Sequence, residues 1–369
     1  GEHLAFFALV KEDPESAGVD IGLPERPEGA EWAEPAIVDE TISYEFDGVG
    51  ELPDGRAQVH VMSADGGAPR ALTNVESGSL GGLAWSADGA HLLFLWSGNE
   101  ASGWDPVESD LYRVALTGGD IERLTTASGP ENAPRPSPDG RRLAFLGAEN
   151  DGRAYRANSL YLAGADGSNA QVLLDGAALS IDQAEWDASG RGLWVMYDER
   201  GKTHLAYADL NGNLDVVRDD LGGLTFGRPY TSGAFSVSDN GRYAAAVGSE
   251  HRLADIAVGG RRGSGERITD VNGDLLAERD LAEIEQLTWE AHDGREIEGW
   301  LAYPPDFDPQ QTYPLILEIH GGPHTAYGPI FSGEVQLMAA AGYVVLYTNP
   351  RGSTSYGEDF ANLIDKDYP

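Results

Sequence analysis

The chain has 369 residues, a formal charge of -36, an apolar fraction of 41% and no cysteine. The length exceeds one ordinary core and predicts two domains. The acidity argues against nucleic acid as a partner, and the missing thiols exclude disulfides and thiolate zinc sites.

Only three lysines (Lys11, Lys202, Lys366) stand among the 25 basic residues, so the acidic surface reads as solubilising or salt-adapted. The lack of cysteine suits a reducing compartment, and a cytoplasmic location is expected. The opening GEHLAFFALV has no basic leader, no small-residue cleavage site and too short an apolar run to span a membrane. No other segment approaches a spanning length, so no membrane partner is expected.

From residue 83 the chain repeats itself. LAWSADGAHLLFLW (83–96), PRPSPDGRRLAFLG (134–147), AEWDASGRGLWVMY (184–197) and FSVSDNGRYAAAVG (235–248) superimpose, with turn glycines Gly89, Gly140, Gly190 and Gly241 spaced 51, 50 and 51 residues apart. Asp88, Asp139, Ser189 and Asn240 precede those glycines, a pairing that predicts tight hairpin turns with positive φ angles. The carboxylates are therefore read as turn chemistry. Further strands are expected at 110–119, 159–167 and 204–212, with a fourth element at ERLT (122–125) or ERIT (266–269). Four strands per unit of this length is the pattern of a β-propeller blade.

The opening GEHLAFFAL matches GAHLLFLWS, with Gly1 in the place of Gly89, so the sequence is expected to start within a blade and to lack earlier residues. Residues 11–56, rich in Glu, Pro and Gly, interrupt that first unit before the strand at 57–67 and read as a long excursion. Within it only TISYEF (41–46) has a strand pattern.

The period stops after residue 270. Residues 271–284 read as a linker with a short helical turn, and 285–304 as two strands about Asp293-Gly294. A buried strand at 315–319 (LILEI), a short helix stopped by Gly342 and a strand at 343–348 then predict an α/β sheet over 285–369, expected to be parallel.

The apolar run 315–319 leads into His320-Gly321-Gly322-Pro323-His324. In an α/β-hydrolase sheet such a loop gives a backbone N–H to an oxyanion hole, and glycine lets the backbone approach the substrate carbonyl. One such donor contributes roughly 3–4 kcal/mol to transition-state stabilisation. A metal reading of His320 and His324 fails, because no carboxylate lies at ligand spacing and Pro323 breaks any helix. A Gly-x-Ser-x-Gly elbow occurs nowhere, and GSTSYG (352–357) has Thr354 where the serine belongs. The nucleophile is expected beyond Pro369.

These segments resemble the prolyl oligopeptidase family of serine peptidases, acylaminoacyl-peptidase-like branch. The resemblance spans the chain and rests on SPDGRRLAF, on residues 44–67, and most specifically on HDGREIEGWLAYP, YPLILEIHGGPH and AAAGYVVLYTNPRGSTSYGEDF in that order. It implies a β-propeller over 1–270, about seven blades in the whole protein and about five here, followed by the N-terminal part of an α/β-hydrolase domain. The propeller would gate substrate size, and a Ser-Asp-His triad would follow on a C-terminal catalytic segment. The Gly321 or Gly322 N–H is the implied oxyanion donor, with His320 positioning the loop.

Arg351 is expected to fix the next loop by a salt bridge, the alternative being a grip on a substrate carboxylate. His324 and Tyr356 are further candidates for substrate contact. Short peptides are the implied substrates, a homo-oligomer the expected assembly, and no cofactor or metal is called for. Acylaminoacyl-peptidase or oligopeptidase activity is the expectation. Carboxypeptidase-type and dipeptidyl-type specificities are alternatives, the latter disfavoured because no Glu-Glu pair occurs. A non-catalytic propeller scaffold has no use for the 285–360 segment, and a propeller glycosidase would need two carboxylates across a cleft.

Overall fold

The computed structural model describes residues 1–11, 28–29, 44–53, 55–98 and 108–367. The first sheet pairs β1 (His3–Val10) with β4 (Arg56–Ser63) and β5 (Arg70–Ala71), in the order β1-β4-β5. Between its first two strands, β2 (Glu45–Phe46) and β3 (Gly50–Glu51) pair with each other. Most of the expected 11–56 excursion, and residues 41–43 of its expected strand, lie outside the described residues.

Four antiparallel units follow. β6 (Leu80–Trp85), β7 (His91–Trp96), β8 (Asp110–Ala115) and β9 (Glu122–Arg123) form one sheet. β10 (Glu131–Pro136), β11 (Arg142–Gly147), β12 (Ser159–Gly164) and β13 (Gln171–Leu174) form the next. β14 (Ser180–Trp186), β15 (Gly192–Glu199), β16 (Lys202–Asp209) and β17 (Leu214–Leu221) precede β18 (Phe235–Val237), β19 (Tyr243–Ser249), β20 (Arg252–Gly259) and β21 (Glu266–Arg267). A single pair, Leu221 with Val247, joins these last two units into one ladder.

Period-two alternation explains how the units stack. Leu92 and Phe94 of β7 enter a core shared with Val59 and Val61 of β4, while Leu93 between them packs with Leu143 and Phe145 of β11. Ala144 and Leu146 turn the other way, onto Leu193 and Val195 of β15. Trp194 and Met196 in turn join Phe235, Tyr243 and Ala245. Each second strand is thus buried on both faces, which is why it reads as a continuous apolar run.

The four turns differ from the expectation in one respect. Glycine alone takes positive φ (+69°, +68°, +66° and +77° at Gly89, Gly140, Gly190 and Gly241). The hairpin closes one step wider than a two-residue turn, with Ser86 N–H donating to His91 O at 3.0 Å and Gly89 N–H to Ser86 O at 2.9 Å. Asp88 accepts from the Ser86 hydroxyl at 2.6 Å and from Ala90 N–H at 3.0 Å, and these bonds hold its carboxyl below the ordinary range. A side chain occupied in this way has no need of a left-handed backbone.

The last unit begins with α1 (Gly273–Ala277) and the hairpin β22 (Glu283–Glu290) and β23 (Glu296–Tyr303). β24 (Leu315–Ile319), α2 (Gly333–Ala340) and β25 (Val344–Asn349) complete a sheet in the order β22-β23-β25-β24. Ser332 caps α2 by accepting from Val335 N–H at 3.2 Å. Two expectations are corrected here. The sheet is mixed, because only β24 and β25 are parallel while β23 runs antiparallel to β25. β24 is an edge strand, with Leu315, Leu317 and Ile319 exposed at 59%, 52% and 56% and only Ile316 and Glu318 turned inward. Its continuous apolar run means a second face without a partner here, where burial had been expected. Among the described residues no helix is long and apolar enough to cross a membrane.

In an antiparallel sheet the first and second turns lie at opposite ends. Three of the turns between second and third strands meet the last unit. Tyr155 N–H and carbonyl exchange hydrogen bonds with the Asn362 side chain at 3.0 and 2.9 Å. Arg200 N–H reaches Ser355 O at 2.6 Å, Gly201 N–H reaches Ser355 Oγ at 2.7 Å, and the His251 ring lies 3.0 Å from Ala282 O. The aspartate-glycine turns therefore face away from it.

Candidate active site

β24 delivers the chain into residues 320–324. His320 is 7% exposed, its Nε2 lies 2.9 Å from Ser353 Oγ, and its ring meets Tyr327 edge-on at 5.0 Å. Burial lowers its pKa, offset only in part by Gly321 O and Asn349, so the ring is neutral at pH 7.

Gly321 and Gly322 are exposed, and neither N–H has an acceptor among the described residues. A Cβ at Gly321 would meet nothing within 4 Å, whereas Gly322 has φ +125°. Thr325 N–H closes the loop on Pro323 O at 2.9 Å, and Thr354 N–H ties the next loop to Thr325 O at 3.0 Å. The result is a tied-down loop with two exposed glycines whose amides have no acceptor among the described residues, leaving the free donors an anionic oxygen requires.

Asn349, at the end of β25, is the buried pin beneath. Its amide accepts from Tyr327 N–H at 2.7 Å and donates to Tyr327 O at 2.8 Å and to Tyr356 Oη at 2.9 Å. The Tyr356 hydroxyl donates a hydrogen bond to Glu298 at 2.5 Å, and burial raises its pKa. His324 lies against Tyr155 at 5.2 Å and near Gly352 O at 3.3 Å. Arg351 bridges to Asp293 at 3.4 Å on the exposed hairpin tip, the loop-fixing geometry among its two expected roles. His320, Gly321, Gly322 and His324 thus share one loop, while Arg351 and Tyr356 are engaged by Asp293 and Glu298.

Ser353 and His320 have the spacing of a nucleophile and its base. Ser353 is nevertheless 0% exposed, and its hydroxyl is 2.6 Å from Pro350 O, so this pair braces the loop. Among the described residues no group of three His, Asp or Glu could hold a metal. A cleft lined by Ser86, Asp88, His91, Arg113, Asp139 and Arg142 opens between two aspartate-glycine turns, at the far end of the sheets from the 320–324 loop.

Sequence reasoning missed Asn349, Tyr327, Ser353, Glu318 and Arg228. Only Glu318 carried a signal, as a carboxylate inside the apolar run LILEI.

A family profile described as the prolyl oligopeptidase family matches residues 329–369. The chain is 30% identical to the uncharacterized peptidase YuxL of Bacillus subtilis (strain 168), over 86% of this chain and 63% of that protein. It is 23% identical to dipeptidyl-peptidase 5 of Porphyromonas gingivalis, over 78% of this chain and 41% of that one. In fold it is similar to the Pyrococcus horikoshii acylaminoacyl peptidase, with a TM-score of 0.73 at 20% identity, covering 98% of this chain and 51% of that chain. It is also similar to a puromycin hydrolase, with a TM-score of 0.54 at 21% identity over 82% and 56%. The chain therefore spans between two-fifths and two-thirds of the length of these relatives. Stacked antiparallel sheets leading into a mixed sheet, the sequence likeness to peptidases and the matched 329–369 segment converge: the chain belongs to the prolyl oligopeptidase family.

Proposed function

We propose that residues 1–270 are β-propeller blades and residues 285–369 the front of an α/β-hydrolase domain, joined by 271–284. The whole protein would be a serine peptidase acting on short peptides, of acylaminoacyl-peptidase or oligopeptidase type. The attacking serine, with its histidine base and aspartate, would come from sequence outside residues 1–369. As its oxygen bonds to the scissile carbonyl carbon, the base takes the hydroxyl proton and the carbonyl electron pair moves onto oxygen. Gly321 and Gly322 N–H would donate to that oxygen, with a contribution of roughly 3–4 kcal/mol each.

The observation that carries this reading is the pair of exposed, unpartnered amides on a loop braced from below by Ser353, Asn349 and Tyr327. The apolar edge Leu315, Leu317 and Ile319 offers the nucleophile-bearing segment a surface on which to dock. In this account the blades limit the peptides that reach the cleft, and His320 remains a brace.

The test uses the full-length protein with acylated, free-amino and free-carboxyl forms of one short peptide, together with a fluorophosphonate probe. Fastest cleavage of the acylated form, with label outside residues 1–369, is expected. Failure to hydrolyse any form, or label within 1–369, would overturn the reading.

A further inference from the structure

Between β17 and β18 the chain leaves its own sheet and lies along the last unit. Gly328 N–H donates to Pro229 O at 2.9 Å, Thr231 N–H to Ala326 O at 2.9 Å, and Tyr230 forms an isolated antiparallel bridge with Tyr327. Gly333 N–H and the Ser332 hydroxyl reach Phe226 O and Gly227 O at 2.7 and 2.6 Å.

From this strap Arg228 extends into the last unit. Its Nη1 is 2.5 Å from Glu318 Oε1 and its Nε 3.4 Å from Glu334 Oε2. The Tyr327 hydroxyl donates to the same Glu318 oxygen at 3.1 Å. Glu318 sits two residues before His320 on the inward face of β24, its side chain only 14% exposed. A carboxylate there is costly unless it is paired and hydrogen-bonded. Tyr327, fully buried, carries the contact onward through its ring edge to His320.

We propose that Arg228 is a positioning residue that sets the Gly321–Gly322 loop from the repeat region, acting through Glu318 and Tyr327. This rests on the oxyanion reading of that loop. Arg228 itself touches neither glycine. Removing it leaves the mostly buried Glu318 without its cation, and the relief available is a shift of Glu318 or Tyr327, each of which moves the end of β24. Arg153 is the built-in contrast: it crosses the same junction to Glu358 and Asp359 without reaching 318–327.

The test compares Arg228→Met, Arg228→Lys and Arg153→Ala in the full-length protein. Arg228→Met is expected to lower kcat about tenfold with KM within about twofold, the scale of a small misplacement of a catalytic backbone. Arg228→Lys should recover part of the loss, and Arg153→Ala should leave kcat unchanged. Adding Glu318→Gln to Arg228→Met should cause little further loss, since the ion pair between the two is already gone. An unaltered kcat in Arg228→Met, or equal losses in Arg228→Met and Arg153→Ala, would overturn the proposal. A wild-type protein that hydrolyses no peptide would sink the peptidase reading alone. The coupling is then read from the His320 imidazole NMR signal, expected to move in Arg228→Met and not in Arg153→Ala; a signal unmoved in Arg228→Met overturns it.

Discussion

The aspartate-glycine turns and the 320–324 loop both depend on glycine but use it in opposite ways. At residues 86–91 the amides of Gly89, Ala90 and His91 each find an acceptor within the turn. At Gly321 and Gly322 the amides find none among the described residues, although the loop is held from below through His320 and Tyr327. A turn that satisfies itself is a statement about folding. A braced loop that leaves exposed donors free has capacity left for a ligand.

A third kind of glycine sharpens this contrast. Gly201 has φ +70°, and a Cβ there would stand 2.8 Å from Trp300 Cη2 and 2.9 Å from Tyr327 O. Gly201→Val is expected to have the largest effect on stability, a loss of about 3 kcal/mol or more in urea unfolding, because it combines backbone strain with overpacking. Stability unchanged within about 0.5 kcal/mol would show that the junction between the β14–β17 unit and the last unit is loosely packed.

The smaller expected effect concerns pH. The folded pKa of His320 is lowered from 6.5, so the unfolded chain binds the proton more readily. The stability it contributes is complete above pH 6.5 and declines as pH falls below that value toward the lower folded pKa. His320→Gln should flatten the stability profile in that window, measured by thermal unfolding against pH. An undiminished slope in the variant would remove His320 from the loop's support.

Much of the architecture was legible before any coordinates. The regular spacing of Gly89, Gly140, Gly190 and Gly241 marked the repeated hairpins, and the change of period after residue 270 marked the last unit. The dipeptide Asp-Gly could not by itself distinguish a two-residue turn from the wider one, since both place glycine at positive φ. Nor could LILEI reveal an exposed edge, because an apolar run fits any strand that has, or awaits, two covered faces.

The site was half legible. His320 to His324 stood out because glycine, histidine and proline follow a strand directly. The network beneath was not visible, since Arg228 and Glu318 lie 90 residues apart in sequence and Asn349 and Tyr327 22 apart. Pairings of that kind are set by how the units stack, which local pattern does not encode.

The central claim is that the 320–324 loop spends its free amides on a substrate oxygen. Peptide hydrolysis and urea unfolding of Gly321→Ala beside Gly89→Ala test it directly in the full-length protein. Neither new methyl group meets an atom within 4 Å, but only Gly89 has positive φ. Gly89→Ala should lose about 1 kcal/mol of stability at unchanged kcat, and Gly321→Ala should keep its stability while kcat falls about a hundredfold, because its methyl group, though clear of the protein, stands where the substrate carbonyl must approach the amide. Full activity in Gly321→Ala would contradict the account.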